Sequence, residues 1–243
     1  MKPMKDPPTP ARATYHHGDL RRALIDTALG LVAERGPEGF SLREAARAVG
    51  VSPAAAYRHF ADKPALIAAL AAEGHGRLAA AMEKEAERAE RAGSERAQAT
   101  AAFLAIGKSY VDFAVKNPSF FRVMFGPALE AAGFRPNCAP SGRYSYHILG
   151  DTLDRLVSTG AIPAPRRPGA EVAAWSSVHG FATLLVDGAL RMGARRRGLA
   201  LRLICRCLLA GLGCEESLLP APTALFDAHP PGHTPRRDRA LAR

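Results

Sequence analysis

Three groups of residues in the 243-residue chain have types that could do chemistry. Ser176, Ser177, His179 and Asp187 supply a hydroxyl, an imidazole and a carboxylate, the parts of a nucleophilic system. All four fall on one expected helix, near 170–192. There Ser176 and His179 could approach, but Asp187 lies more than two turns further on, so nucleophile, base and orienter do not converge. No catalytic residue is assigned, and the chain is expected not to be an enzyme. Cys138, Cys205, Cys207 and Cys214 have no paired C-x-x-C spacing. They read as reduced core thiols, with no metal site expected. The arginines Arg191, Arg195, Arg196, Arg197, Arg202 and Arg206 could attract an anionic ligand or a nucleic acid, but are read here as a solvated inter-helix loop.

A more specific pattern lies in SLREAARAVGVSPAAAYRHF, residues 41–60. Ser41 with Glu44 three residues later matches a capping box that opens a helix over 42–49. Gly50 stands where the chain must take a left-handed conformation, Ser52 can cap a next helix to about His59, and Pro53 suits its first position. Ala46, Val49 and Val51 are spaced to pack inside. Two short helices around a tight turn can present the second helix to a DNA major groove, although a generic two-helix corner shares parts of the pattern.

The surrounding elements read as helices throughout. Alanine accounts for 48 residues while aromatic residues make up only 7%, which favours helix over strand. The first helix spans about 17–35, with Leu20, Leu24, Ala28 and Leu31 at steps of three or four, and Gly36-Pro37 ends it. Asp62 caps a fourth helix from Lys63 to about Arg91, weakened in its middle by Gly74 and Gly76. Ser94 starts a fifth, which Asn117-Pro118 stops, and FFRVMFG (120–126) reads as a short apolar turn before a Gly/Pro-rich loop to about 140. Further helices are expected near 141–159, 170–192 and 199–213.

Charge does not identify a partner by itself. The net +10 divides into +3 over residues 1–64, zero over 65–118, +5 over 119–219 and +2 over 220–243, so the excess lies mainly outside the helix pair. No apolar run approaches the roughly 20 residues that span a bilayer. The N-terminal MKPMKDPPTPARAT is interrupted by prolines where a secretory signal needs an apolar stretch, so a cytoplasmic protein without membrane partners is expected.

FSLREAARAVGVSPAAAYRHFADKPAL (40–66), preceded by a first helix of YHHGDL type, resembles the DNA-binding domain of TetR-family transcriptional regulators. WSSVHGFATLLVDGAL (175–190), with Trp175, His179 and Gly180, is similar to the C-terminal domain of a TetR subgroup with a W-x-x-x-H-G signature. The resemblance implies an all-α protein. An N-terminal three-helix helix-turn-helix domain (14–62) would be followed by a helical-bundle ligand-binding and dimerisation domain (63–219), between flexible tails at 1–13 and 220–243. It implies a homodimer on double-stranded operator DNA, with its two reading helices about 34 Å apart. By similarity, Ser52 and Tyr57 would bond phosphates, with His59 and Lys63 nearby, while Arg43, Pro53, Ala54 and Ala55 would meet bases. The run of alanines at 54–56 departs from the usual pattern and shifts base reading toward Arg43, Arg58 and DNA shape.

In the C-terminal half, Phe103, Tyr110, Phe121, Met124 and Phe125 supply apolar surface for a small-molecule effector pocket, with Tyr110 or His179 as a polar anchor beside Trp175. The same residues could serve only as core. No cofactor is implied beyond that unidentified effector. The implied function is a regulator, a repressor released by its ligand. The alternative is an all-α small-molecule binding protein or enzyme that has lost operator recognition.

Overall fold

A computed structural model describes residues 17–89, 93–126, 129 and 142–221. The N-terminal tail, residues 222–243 of the C-terminal tail, Cys138 and most of the Gly/Pro-rich loop fall outside the described residues. Among those described there are nine α-helices, two short 3₁₀ turns and no strand. The helices are α1 (His17–Arg35), α2 (Leu42–Val49), α3 (Pro53–Tyr57), α4 (Lys63–Ala89), α5 (Glu95–Lys116), α6 (Pro118–Met124), α7 (Ser145–Ser158), α8 (Ala170–Val186) and α9 (Ala194–Gly211). None is long and apolar enough to cross a membrane. The chain divides into two compact units, one within 1–80 and 116–145, the other within 81–115 and 146–243.

The first unit buries one stripe of α1, formed by Leu20, Leu24, Ala28 and Val32, together with Phe40, Leu42, Ala45 and Ala46 around α2. Leu66, Ile67 and Leu70 of α4 are essentially inaccessible. Three helix starts are fixed by side chains, as read from the sequence: Ser41 and Glu44 form a complete capping box, Ser52 accepts from Ala55 N, and Asp62 accepts from Ala65 N at 2.7 Å. Helix α3 stops at Tyr57, two residues before the expected His59.

The stretch expected to be an apolar turn is helix α6. Pro118 occupies its first turn, where the missing N–H costs nothing, and Ser119, Phe120, Phe121, Val123 and Met124 are buried. Gly74 is what lets α6 lie so close to α4. A Cβ there would stand 2.7 Å from Met124 Sδ and 3.2 Å from Phe120 Cδ1. The glycine that weakens α4 as an isolated helix is therefore a seat for its neighbour. Next to it, the buried His75 places Nε2 3.2 Å from the carbonyl of Met124, the last residue of α6, whose oxygen has no partner in its own helix. Burial lowers the His75 pKa, so the ring is neutral near pH 7 and its N–H is available to that carbonyl.

In the second unit, α5 contributes Phe103, Ile106, Tyr110 and Phe113 to the core, and α7 contributes Ile148, Leu153 and Leu156. Two boundaries differ from expectation. Helix α8 ends at Val186, where Gly188 takes a left-handed φ of +76°, and α9 starts at Ala194 rather than near 199. Arg195, Arg196 and Arg197 consequently stand on the first turns of α9, and Arg202 and Arg206 further along it, so only Arg191 lies in a loop. Of the described cysteines, Cys205 and Cys214 are buried free thiols while Cys207 is exposed, which limits the core reading to two of them.

These contacts make two glycines behave oppositely. Gly74→Leu should lower the unfolding free energy by roughly 1–3 kcal/mol through overpacking against Met124 and Phe120. Gly30→Ala, within α1 and with open space around its Cβ position, should raise it by about 0.5–1 kcal/mol. Chemical denaturation followed by far-UV circular dichroism measures both, and equal signs would contradict the packing described.

Candidate functional site

The turn between α2 and α3 closes on Gly50, whose φ of +81° only glycine adopts without cost. Its N–H donates to Arg47 O and that of Val51 to Ala46 O, both at 3.0 Å, which satisfies the last carbonyls of α2 and reverses the chain at once. Ala46 and Ala56 are fully buried across this corner, and Val49 and Val51 are half-buried. Helix α3 therefore turns one face inward through Ala56 and the opposite face outward.

That outward face carries most of the residues singled out in the sequence. Ser52, Pro53, Ala54, Tyr57 and Arg58 are exposed, as is Arg43 on α2, while Ala55 and His59 are half-buried. Tyr57 is 44% exposed, a large aromatic ring presented to water on a five-residue helix. The guanidinium groups of Arg43 and Arg58 make no hydrogen bond or ion pair among the described residues. The Ser52 hydroxyl accepts from Ala55 N at 3.3 Å and so keeps its own O–H free to donate. The face thus offers donors and cations with little internal claim on them. This is the equipment for binding phosphate oxygens and guanine edges.

Lys63 is the exception. Its Nζ donates to Glu38 O at 3.0 Å, stands 3.6 Å from the Glu38 carboxylate, and lies 5.1 Å from the Phe40 ring centroid. It ties the start of α4 to the α1–α2 connection. A second tie joins α1 to α4: Arg22 bonds Asp26 at 2.7 Å and Glu73 at 2.8 Å, and Glu73 also pairs with Arg77. Sequence reasoning missed Glu73 and His75, which carry no local motif.

The residues singled out in the C-terminal half separate between the two units. Phe121 and Met124 are buried in the first, where the Phe125 ring lies tilted against Phe121 at 5.2 Å and edge-on to His75 at 5.3 Å. The second brings Tyr110, Trp175 and His179 together. Tyr110 Oη lies 2.8 Å from His179 Nδ1. Burial raises the Tyr110 pKa and lowers that of His179, so the bond joins a neutral phenol to a neutral imidazole. The Trp175 and His179 rings are 5.5 Å apart, Tyr146 meets Trp175 edge-on at 6.4 Å, and Phe103 is buried. The Ser177 hydroxyl donates to Ala173 O at 2.9 Å, so it is not directed at His179. Among the described residues no group of three or more His, Cys, Asp or Glu could hold a metal ion.

Comparison with known proteins agrees with this architecture. Residues 24–70 match the family model for bacterial regulatory proteins of the tetR family, and residues 103–207 match that of the tetracyclin repressor-like C-terminal domain. A protein of unknown function from Rhodococcus sp. RHA1 is 30% identical, with a TM-score of 0.65 over 83% of this chain and 99% of its own. A tetR-family bacterial regulatory protein from Rhodococcus RHA1 is 17% identical with a TM-score of 0.61 over 81% of this chain and 98% of its own, and the fatty acid degradation regulator FadR from Bacillus halodurans is 15% identical with a TM-score of 0.60 over 80% and 97%. Both share the fold. With two family models matched in order along a chain whose described elements are helical, and a helix-turn-helix at the α2–α3 corner, this protein belongs to the TetR family of DNA-binding transcriptional regulators.

Proposed function

We propose that the protein is a homodimeric repressor that reads a two-fold symmetric operator and releases it on binding a small molecule. On this reading residues 14–62 form the reading domain and 63–219 the effector and dimerisation domain. The observation that carries it is the exposed α2–α3 face, where Arg43, Ser52, Tyr57 and Arg58 point donors and cations outward from a corner fixed by two side-chain caps and a left-handed glycine. Ser52 and Tyr57 hold phosphates, with His59 and Lys63 supporting the approach; Arg43 and Arg58 read base edges, and Pro53, Ala54 and Ala55 offer only apolar contact, suited to thymine methyl groups. Lys63 contributes mainly by fixing α4 to the reading domain, given its contacts with Glu38 and Phe40.

Dimerisation is assigned to α8 and α9. Val172, Trp175 and Leu184 on α8 and Leu203 on α9 are large apolar side chains between 39% and 60% exposed, surface that a second copy could cover. The effector site is assigned to the second unit around Phe103, Tyr110, Trp175 and His179, where the Tyr110–His179 hydrogen bond lies among apolar and aromatic side chains. Phe121, Met124 and Phe125 act instead in the packing of the first unit.

Selection from a random DNA pool at physiological salt should enrich a two-fold symmetric site; salt-labile binding without enrichment would favour the reading of a ligand-binding protein that has lost its operator. On the enriched site, Arg43→Ala should relax base preference at one position per half-site and cost about 1–3 kcal/mol there, whereas Tyr57→Phe should weaken all sequences alike. Indistinguishable specificity profiles for the two variants would refute this division of roles. Sedimentation should show Trp175→Arg shifted toward monomer with its helicity intact. Tyr110→Phe should lower stability by roughly 1–3 kcal/mol, because it removes the hydroxyl that bonds His179 Nδ1 in a part-buried setting. A loss no larger than that of an exposed Tyr146→Phe control would contradict the Tyr110–His179 hydrogen bond.

A further inference from the structure

Between the end of α5 and the α8–α9 connection, the second unit holds a groove of about 460 Å³ that neither the operator face nor the effector cluster uses. Val115, Leu185, Leu190 and Met192 make it apolar, and Arg191 and Arg197 supply its charge. The connection is well fixed. Gly188 N donates to Leu185 O at 3.3 Å and Leu190 N to Leu184 O at 2.8 Å, so the wall is a hydrogen-bonded turn.

The charges around it do not balance. Arg197 is largely buried and lies 3.6 Å from Asp112, whose carboxylate is also held by Lys108. One acid therefore serves two cations. Arg191, Arg195 and Arg196 are exposed and have no ion pair among the described residues, and Asp187 is the only other acid in this stretch. Because α9 begins at Ala194, Arg195, Arg196 and Arg197 also sit at the helix end whose own field is positive, where cations are disfavoured. A negative group in the groove would relieve that repulsion, and four apolar side chains would hold whatever carries it.

We propose that this groove binds a small amphipathic organic anion, a carboxylate with a short alkyl or aryl body, with Arg191 and Arg197 on the carboxylate and Leu185, Leu190, Val115 and Met192 on the body. The volume is of the order of small-molecule sites generally. A guanidinium pair can hold a carboxylate by charge-assisted hydrogen bonds, which neither an alcohol nor a purely apolar molecule can replace. The site is separate from the effector cluster, so its failure would leave operator recognition standing.

Met192 provides a local reporter. In full-length protein carrying [methyl-13C]methionine, with the Met192 resonance assigned through Met192→Leu, titration with octanoate should move that resonance saturably. Octanol should act at least roughly tenfold more weakly, since it lacks the charge that the arginines bind, and inorganic phosphate likewise, since it lacks the body. Arg191→Glu should weaken octanoate at least about fivefold while leaving helicity and operator binding unchanged. Equal response to octanol would reduce the groove to an apolar crevice, and equal response to phosphate to a patch of cations. Either result overturns the proposal. So would an unchanged affinity in Arg191→Glu, or octanoate shifts confined to other methionines.

Discussion

The outward face of α3 depends on a single reversal of backbone direction at Gly50. A side chain with a Cβ would resist φ near +81°, and without that conformation the amides of Gly50 and Val51 could not return to the carbonyls of Arg47 and Ala46. Helix α3 has little else to hold it. It is five residues long, and only Ala56 is buried within it, with Phe60 buried just beyond. A short helix with so small a buried face contributes almost no stability of its own, so its position is inherited from the turn before it and the Asp62-capped start of α4 after it.

The ties from α4 follow from the same need. Lys63 fastens the helix start to Glu38 and Phe40, and Glu73 reaches Arg22 across to α1. In each contact one partner, Glu38 or Arg22, stays exposed, and such pairs contribute modestly to stability. Their value is directional: they fix the orientation of α4 against α1 and hence the frame in which α3 is presented. The packing of Gly74 beneath Met124 and Phe120, and of His75 beneath the last carbonyl of α6, fixes the next part of α4 by shape rather than charge.

What could be read in the sequence was local. The caps at Ser41, Ser52 and Asp62, the turn at Gly50 and the stop at Gly36 each rest on residues within three or four positions of one another, and all stand where expected. Helix α6 was not legible, because seven residues of nearly unbroken apolar character have no period by which to tell a helix from a buried turn. The early start of α9 was hidden for the opposite reason: its first turns are arginines, which resemble a solvated connection until the helix is seen beneath them. Contacts between distant positions were invisible in principle. Tyr110 and His179 are separated by 69 residues, and no local spacing announces that their side chains bond.

The outer surface of α3 is chemically plain. Pro53, Ala54 and Ala55 carry no group that can donate or accept a hydrogen bond from a side chain, and the first two are exposed. On the proposed reading they sense a base through the methyl group at its fifth ring carbon, which is how thymine differs from cytosine in apolar contact. A cytosine methylated at that carbon presents the same methyl in the same place. At those positions a chemically modified operator and a mutated one would look alike to this protein, so enzymatic marking of the DNA could retune its sites without altering their sequence.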